Sequence, residues 1–111
     1  MNEKRCRALV SARSEGFCER CCRNWRLTMH HRKKRGQGGL WTPENIVAVC
    51  GSGTTGCHGW IEHHPDSAAA EGFHVRPWFD PADVMVRYRL SHWVLLLPDG
   101  TLNYVEGQLN V

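Results

Sequence analysis

Between residues 29 and 65 the chain gathers the side chains best suited to bind metal and move protons. His30 and His31 come first, Asn45 follows, and Cys57-His58 is trailed by Glu62, His63 and His64. Imidazole is a common metal ligand and the one side chain that titrates near neutrality unaided. A His pair, an amide and a second His cluster can hold a divalent metal and, beside it, a base that activates water. On a helix, an offset of four residues puts Glu62 on the face of His58, so the two can share an ion. His64, just ahead of Pro65, is the other candidate for that last ligand, and His63 is expected at the surface. A carboxylate there favours a hard ion such as Mg²⁺ or Mn²⁺.

The cysteines add a second donor set. Cys18-x-x-Cys21 is half of a metal knuckle, and Cys50 and Cys57, with six residues between them, supply the other half. Two pairs of thiolates match the closed tetrahedral site of structural zinc. Gly51, Gly53 and Gly56 let the longer loop bulge. Cys22 competes with Cys21 for its place, and Cys6 is expected in the core. The spacing of the six cysteines does not look like a disulfide framework. The chain opens without an apolar leader, and no run approaches the roughly 18 apolar residues of a membrane span. The expectation is a reducing, cytoplasmic setting with no membrane, where paired cysteines more often bind metal.

With 111 residues the chain suits one small domain, in which a metal staple would reinforce a limited core. Its formal charge of +3 hides an asymmetry. Residues 1–35 hold eleven Lys/Arg against three Glu, while residues 36–111 hold three Arg against eight acids. The basic half fits a polyanion such as DNA. Arg32, Lys33, Lys34 and Arg35, helped by Arg23, Arg26 and the basic first helix, would neutralise phosphates and give salt-dependent, sequence-tolerant binding. Trp25, Trp41 and Trp60 could stack on bases, although packing around the core is the commoner use of such rings.

The elements that must position these groups follow from periodicity and breakers. Cys6, Leu9, Val10 and Arg13 have helical spacing from Glu3 to about Ser14, with Gly16 as the stop. Phe17 to Cys22 forms a knuckle, Leu27 to His31 a short strand and Gly36 to Gly39 a loop. Thr42-Pro43-Glu44 reads as a one-turn helix start capped by Thr42. Ile46 to Cys50 is the clearest strand. A helix from near Cys57 to Ala70 is interrupted at Pro65. Adjacent strand residues face opposite sides, so a regular strand cannot aim His30 and His31 at one ion.

Beyond Gly72, His74–Trp78 and Val84–Leu90 look extended, and Pro98-Asp99-Gly100 turns a hairpin between His92–Leu97 and Thr101–Val105. Residues 1–72 form the core domain, and 73–111 a β-rich extension packed on it. Trp78, Trp93 and Leu95 to Leu97 would be its docking candidates if it met a partner protein. His74 and His92 are read as structural.

Cys18-x-x-Cys21, His30-His31, Gly38-Gly39, Pro43-Glu44-Asn45, the strand ending at Cys50 and Cys57-His58 together resemble the HNH endonuclease family over about residues 17–64. The run CGSGTTGCHGW, the acid and His before Pro65, Asp80-Pro81 and the late Pro98-Asp99-Gly100 turn are similar to small HNH proteins of tailed bacteriophages. The resemblance implies an α+β chain: a zinc-stapled ββα-metal (His-Me finger) domain with an N-terminal helix and a C-terminal β-hairpin appendage. It implies His31 as general base, His30 and His58 as ligands of a catalytic Mg²⁺, Mn²⁺, Ni²⁺ or Zn²⁺, and Asn45 bonding loop backbone to orient His31. The implied reaction is hydrolysis of DNA to 5′-phosphate and 3′-hydroxyl ends. If phage-encoded, the protein would act in the host cytoplasm alongside terminase subunits in genome processing and packaging. Two alternatives are a zinc module that binds nucleic acid without cutting it, and a restriction- or toxin-type nuclease.

Overall fold

Strand alternation decides the architecture of residues 1–105, which the computed structural model describes. Strand β1 (Leu27–His31) pairs antiparallel with β2 (Ile46–Cys50), Leu27 lying opposite Cys50 and His31 opposite Ile46. Every residue of β2 is buried, because both faces of this two-stranded sheet are covered. Ile46 and Ala48 pack with Cys6 and Val10 of helix α1 (Glu3–Ser14). Val47 and Val49 join the larger core, with Ile61 of α2 (Gly56–His63), Ala68 of α3 (Pro65–Ala70) and Phe73.

A second antiparallel sheet, in the order β3 (Val86–Tyr88), β4 (His92–Leu96), β5 (Leu102–Tyr104), sends Val86, Tyr88, Val94 and Leu96 into that same core. The chain is therefore α+β, with helices on both faces of a small sheet. No helix among the described residues is long and apolar enough to cross a membrane.

Local chemistry explains most boundaries. Asn2 caps α1, its side chain accepting the Arg5 N–H at 2.9 Å. The helix ends as Glu15 turns left-handed at φ 55°, followed by Gly16 at φ 83°. Pro65 separates α2 from α3, as its missing N–H requires.

Three segments depart from the sequence reading. Thr42 offers its carbonyl rather than its hydroxyl, to the N–H groups of Asn45 and Ile46, and makes a turn instead of a capped helix. The segment after β1 tightens into a 3-10 turn over Arg35–Gln37. Residues 74–85 carry no strand; a turn closed by Phe79 on the Arg76 carbonyl and a 3-10 turn over Pro81–Asp83 replace it.

Two arginines buried by this packing tie the layers together. The Arg13 guanidinium meets the Glu19 carboxylate at 2.7 and 3.0 Å and donates to the carbonyls of Pro43 and Ile46. Glu19 also accepts from Tyr88 Oη at 2.7 Å and from the Ala48 amide at 2.9 Å. Burial and the Glu19 charge push the Tyr88 phenol up, so it stays a donor. Helix α1, the knuckle, β2 and β3 thus meet at one ion pair whose side chains are 2% and 0% exposed.

Arg32 is fully buried and donates to the carbonyls of Gly72, Glu44, Pro81 and Val84. This corrects its expected role as a DNA contact. A guanidinium spent on four backbone acceptors inside the protein fixes the loop ahead of β2 to residues 72–84.

Removing one member of a buried pair strands the other charge. Glu19→Ala should therefore cost about 3–5 kcal/mol in urea unfolding. A loss under about 1 kcal/mol would mean that the clasp contributes no net stability.

Candidate functional site

The four cysteines with paired spacing converge. One sulfur each from Cys18, Cys21, Cys50 and Cys57 lies within 4.8 Å of all the others, a group able to hold a metal ion. Cys22 is exposed and outside it, and Cys6 lies in the core against β2. Backbone amides prepare the site: Cys18 Sγ accepts N–H groups from Arg20, Cys21 and Cys50 at 3.3–3.4 Å, and Cys50 Sγ accepts that of Cys57 at 3.3 Å. The Cys57 thiol and these amides hold Cys18 down to about 4, against burial. Cys57, which keeps the proton, is pushed up first by Cys18 and then by burial.

Arg20 closes the outside. It lies 3.4 Å from Cys57 Sγ, 2.9 Å from a Glu71 oxygen and 3.7 Å above the Trp60 ring. The loop between Cys50 and Cys57 depends on two glycines. Gly51 has φ 90°, and a Cβ there would meet the Thr55 carbonyl at 2.1 Å; Gly56 has φ 62° and would meet the Cys50 carbonyl at 2.6 Å. Gly53 makes no such demand, since nothing stands within 4 Å of its added Cβ.

The second group follows directly from the β1–β2 register. His30 is opposite Val47 and so shares its face, toward α2; His31 is opposite Ile46 and faces α1. Helix α2 begins at the cysteine cluster and carries His58 and Glu62 one turn apart over His30. A nitrogen each of His30 and His58 and a Glu62 oxygen lie within 4.8 Å of one another. Glu62 Oε2 is 3.5 Å from His30 Nδ1 and 3.7 Å from His58 Nε2.

Both rings are oriented from behind. His30 Nε2 donates to the Phe73 carbonyl at 2.8 Å, so in the neutral ring Nδ1 carries the lone pair and faces Glu62. Thr28 Oγ1 lies 2.9 Å from the Gly51 carbonyl and 2.6 Å from His58 Nδ1. Its hydroxyl donates to the former and accepts from the latter, so His58 Nε2 is also a lone pair. Supports of this kind fix the tautomer of metal-binding histidines. Contact with His30, and the nearby His74 and His58, hold the Glu62 carboxyl down to about 2, against partial burial. Burial and the neighbouring His30 keep His58 and His74 below their ordinary value, hence neutral at pH 7.

Of the two candidates for the last ligand, Glu62 joins the cluster. His64 instead stacks on Trp60, with Nδ1 3.0 Å from the Trp60 carbonyl, and His63 is exposed. Asn45 bonds the Lys33 amide and the carbonyls of Lys33 and Leu40, pinning the loop between β1 and β2. His31 is not gathered with the other two rings. It packs edge-on against Trp41 at 4.6 Å, and its buried Nε2 has no hydrogen-bond partner. Burial, then Arg35 and His30, lower its pKa.

Arg23, Arg26, Lys34 and Arg35 are exposed, while Lys33 is half-buried with Nζ on the Phe79 carbonyl. Trp60 is held between Arg20 and His64, and Trp41 lies under Arg7 and against His31. His74, read as structural, is buried with its ring 5.5 Å from His30.

No protein-family model matches the chain, and no curated protein or solved structure is significantly similar to it. Its possible chemistry therefore rests on these two donor sets. Thr28 offers a test of the second. Thr28→Val should weaken Mn²⁺ binding about 10–100-fold in calorimetric titration while the cysteine site keeps its metal. Unchanged affinity would mean that Thr28 does not orient His58.

Proposed function

We propose that this chain is a metal-dependent DNA endonuclease of the HNH type, with structural zinc on Cys18, Cys21, Cys50 and Cys57. The observation that carries this reading is the convergence of His30, His58 and Glu62 in a chain that also exposes Arg23, Arg26, Lys34 and Arg35. Four clustered sulfurs, three of them on buried cysteines, suit a closed zinc site, and the order β1, β2, α2 agrees with a ββα-metal core. Two imidazoles and a carboxylate suit Mg²⁺, Mn²⁺, Ni²⁺ or Zn²⁺. A divalent ion bound there would act as a Lewis acid, stabilising charge on the phosphoryl oxygens and the departing 3′-oxygen.

The chain's own residues supply the rest. His30 and His58 present lone pairs fixed by the Phe73 carbonyl and Thr28. Lys34, Arg35, Arg23 and Arg26 lie exposed and can neutralise backbone phosphates without reading sequence. His31 is the proposed general base. It is the last residue of β1, so a strand of DNA crossing that end would have the His30 cluster on one side and His31 on the other. Use as a base requires its ring to turn from Trp41, and Asn45 keeps the adjoining loop in place meanwhile. The resemblance extends the proposal to phage genome processing with terminase.

The burial of His31 Nε2 favours a second reading, a zinc module that binds nucleic acid without cutting it. Plasmid nicking by purified protein with added Mg²⁺ or Mn²⁺ separates the two. Wild type should nick, and Glu62→Ala should lose both nicking and Mn²⁺ binding. His31→Ala should lose nicking, by about 10²–10⁴-fold in rate, with Mn²⁺ binding and fold retained. Full nicking by His31→Ala would remove it as the base, and no nicking by wild type would favour the binding module.

A further inference from the structure

A small cavity of about 110 Å³ opens between the 3-10 turn after β1 and the segment after α3. Lys34, Gln37, His74 and Arg76 line it, together with Pro65, Val75 and Pro77. None of its lining residues is acidic. Lys34 is exposed.

His74 is the wall that this cavity shares with the metal-ligand cluster. Its ring is 8% exposed, lies 5.5 Å from His30, and is held with Nε2 3.1 Å from the Ile61 carbonyl of α2. Two cations, an amide and an imidazole around an acid-free hollow are the chemistry of an anion site. Two oxygens of a phosphate can be met at once by an ammonium and a guanidinium.

We propose that Lys34, Gln37 and Arg76 form a phosphate subsite beside the His30–His58–Glu62 cluster, and that it takes a phosphate of a polynucleotide next to the linkage under attack. The anion-binding part stands on the cavity alone, while the polynucleotide part rests on the nuclease reading above. Arg76 meets the Asp66 carboxylate at 2.9 Å, but that carboxylate is 93% exposed. Such a pair is screened by water and salt, so an incoming phosphate can displace it.

The test uses the full chain with zinc bound and with no added Mg²⁺ or Mn²⁺, so binding is read without cleavage. Inorganic phosphate should shift the backbone amide resonances of residues 34–37 and 74–76 in wild type, and not in the double variant Lys34→Gln/Arg76→Gln. A short DNA duplex should bind the double variant roughly tenfold more weakly at low salt. Its plot of log affinity against log salt should lose a slope of about 0.9, the contribution of one neutralised phosphate.

No phosphate-induced shifts at these residues in wild type, together with unchanged duplex affinity and slope in the double variant, would overturn the subsite, whether or not the protein cuts DNA. Phosphate shifts at 34–37 and 74–76 with duplex binding that ignores both substitutions would overturn its polynucleotide assignment and leave a free-phosphate site. If both binding effects appear but wild type never nicks DNA when Mg²⁺ or Mn²⁺ is added, the subsite stands and the nuclease reading falls.

Discussion

Two sulfurs from the knuckle and two from the β2–α2 turn come together at one point, and the rest of the site depends on that meeting. Cys50 ends β2 and Cys57 opens α2, so the cysteine cluster fixes where the helix starts and along which face of the sheet it runs. His58 is the next residue, and Glu62 lies one turn on. The inner group is thereby placed by the outer one. Five N–H donors, four backbone and one from Arg20, already face the sulfurs, and negative charge gathered there is stabilised before any cation is considered.

The second constraint is strand parity. The sheet is two strands wide and covered on both faces, so a shift of one residue would exchange every side chain between α1 and α2. In the observed register Thr28 and His30 point to α2 with Val47 and Val49, while Met29 and His31 point to α1 with Ile46 and Ala48. That parity supplies two ligands' worth of geometry, His30 itself and the Thr28 support for His58. It also sends the neighbouring imidazole away. The Arg13–Glu19–Tyr88 clasp and the buried Arg32 then hold the helices and the second sheet against this frame.

Much of this was legible in the sequence, because much of it is local. Cysteine spacing marked the four sulfurs that converge, and helical periodicity chose Glu62 over His64. Alternation also said that His30 and His31 must part. Long-range contacts were not legible. In the run Arg32-Lys33-Lys34-Arg35 all four cations look equally exposed, and nothing nearby marks Arg32 as the one enclosed by residues 72–84. Parity alone held a signal, since position 32 falls on the same side as His30.

The place of His74 beside the cluster was not legible for a related reason. It lies 44 residues from His30, and only the packing of Phe73 against α2 and α3 brings its ring beside the cluster. Glu19 carried no mark either, because its partners come from α1, β2 and β3.

The claim on which the account turns is that His30, His58 and Glu62 grip a single divalent ion. Electron spin-echo spectroscopy of Mn²⁺ bound to the zinc-loaded chain reads this directly, because directly coordinated imidazole nitrogens modulate the echo. The account predicts modulation from two imidazoles, reduced to one in either His30→Ala or His58→Ala. Bound Mn²⁺ without nitrogen modulation, or modulation that persists unchanged in both variants, would contradict it.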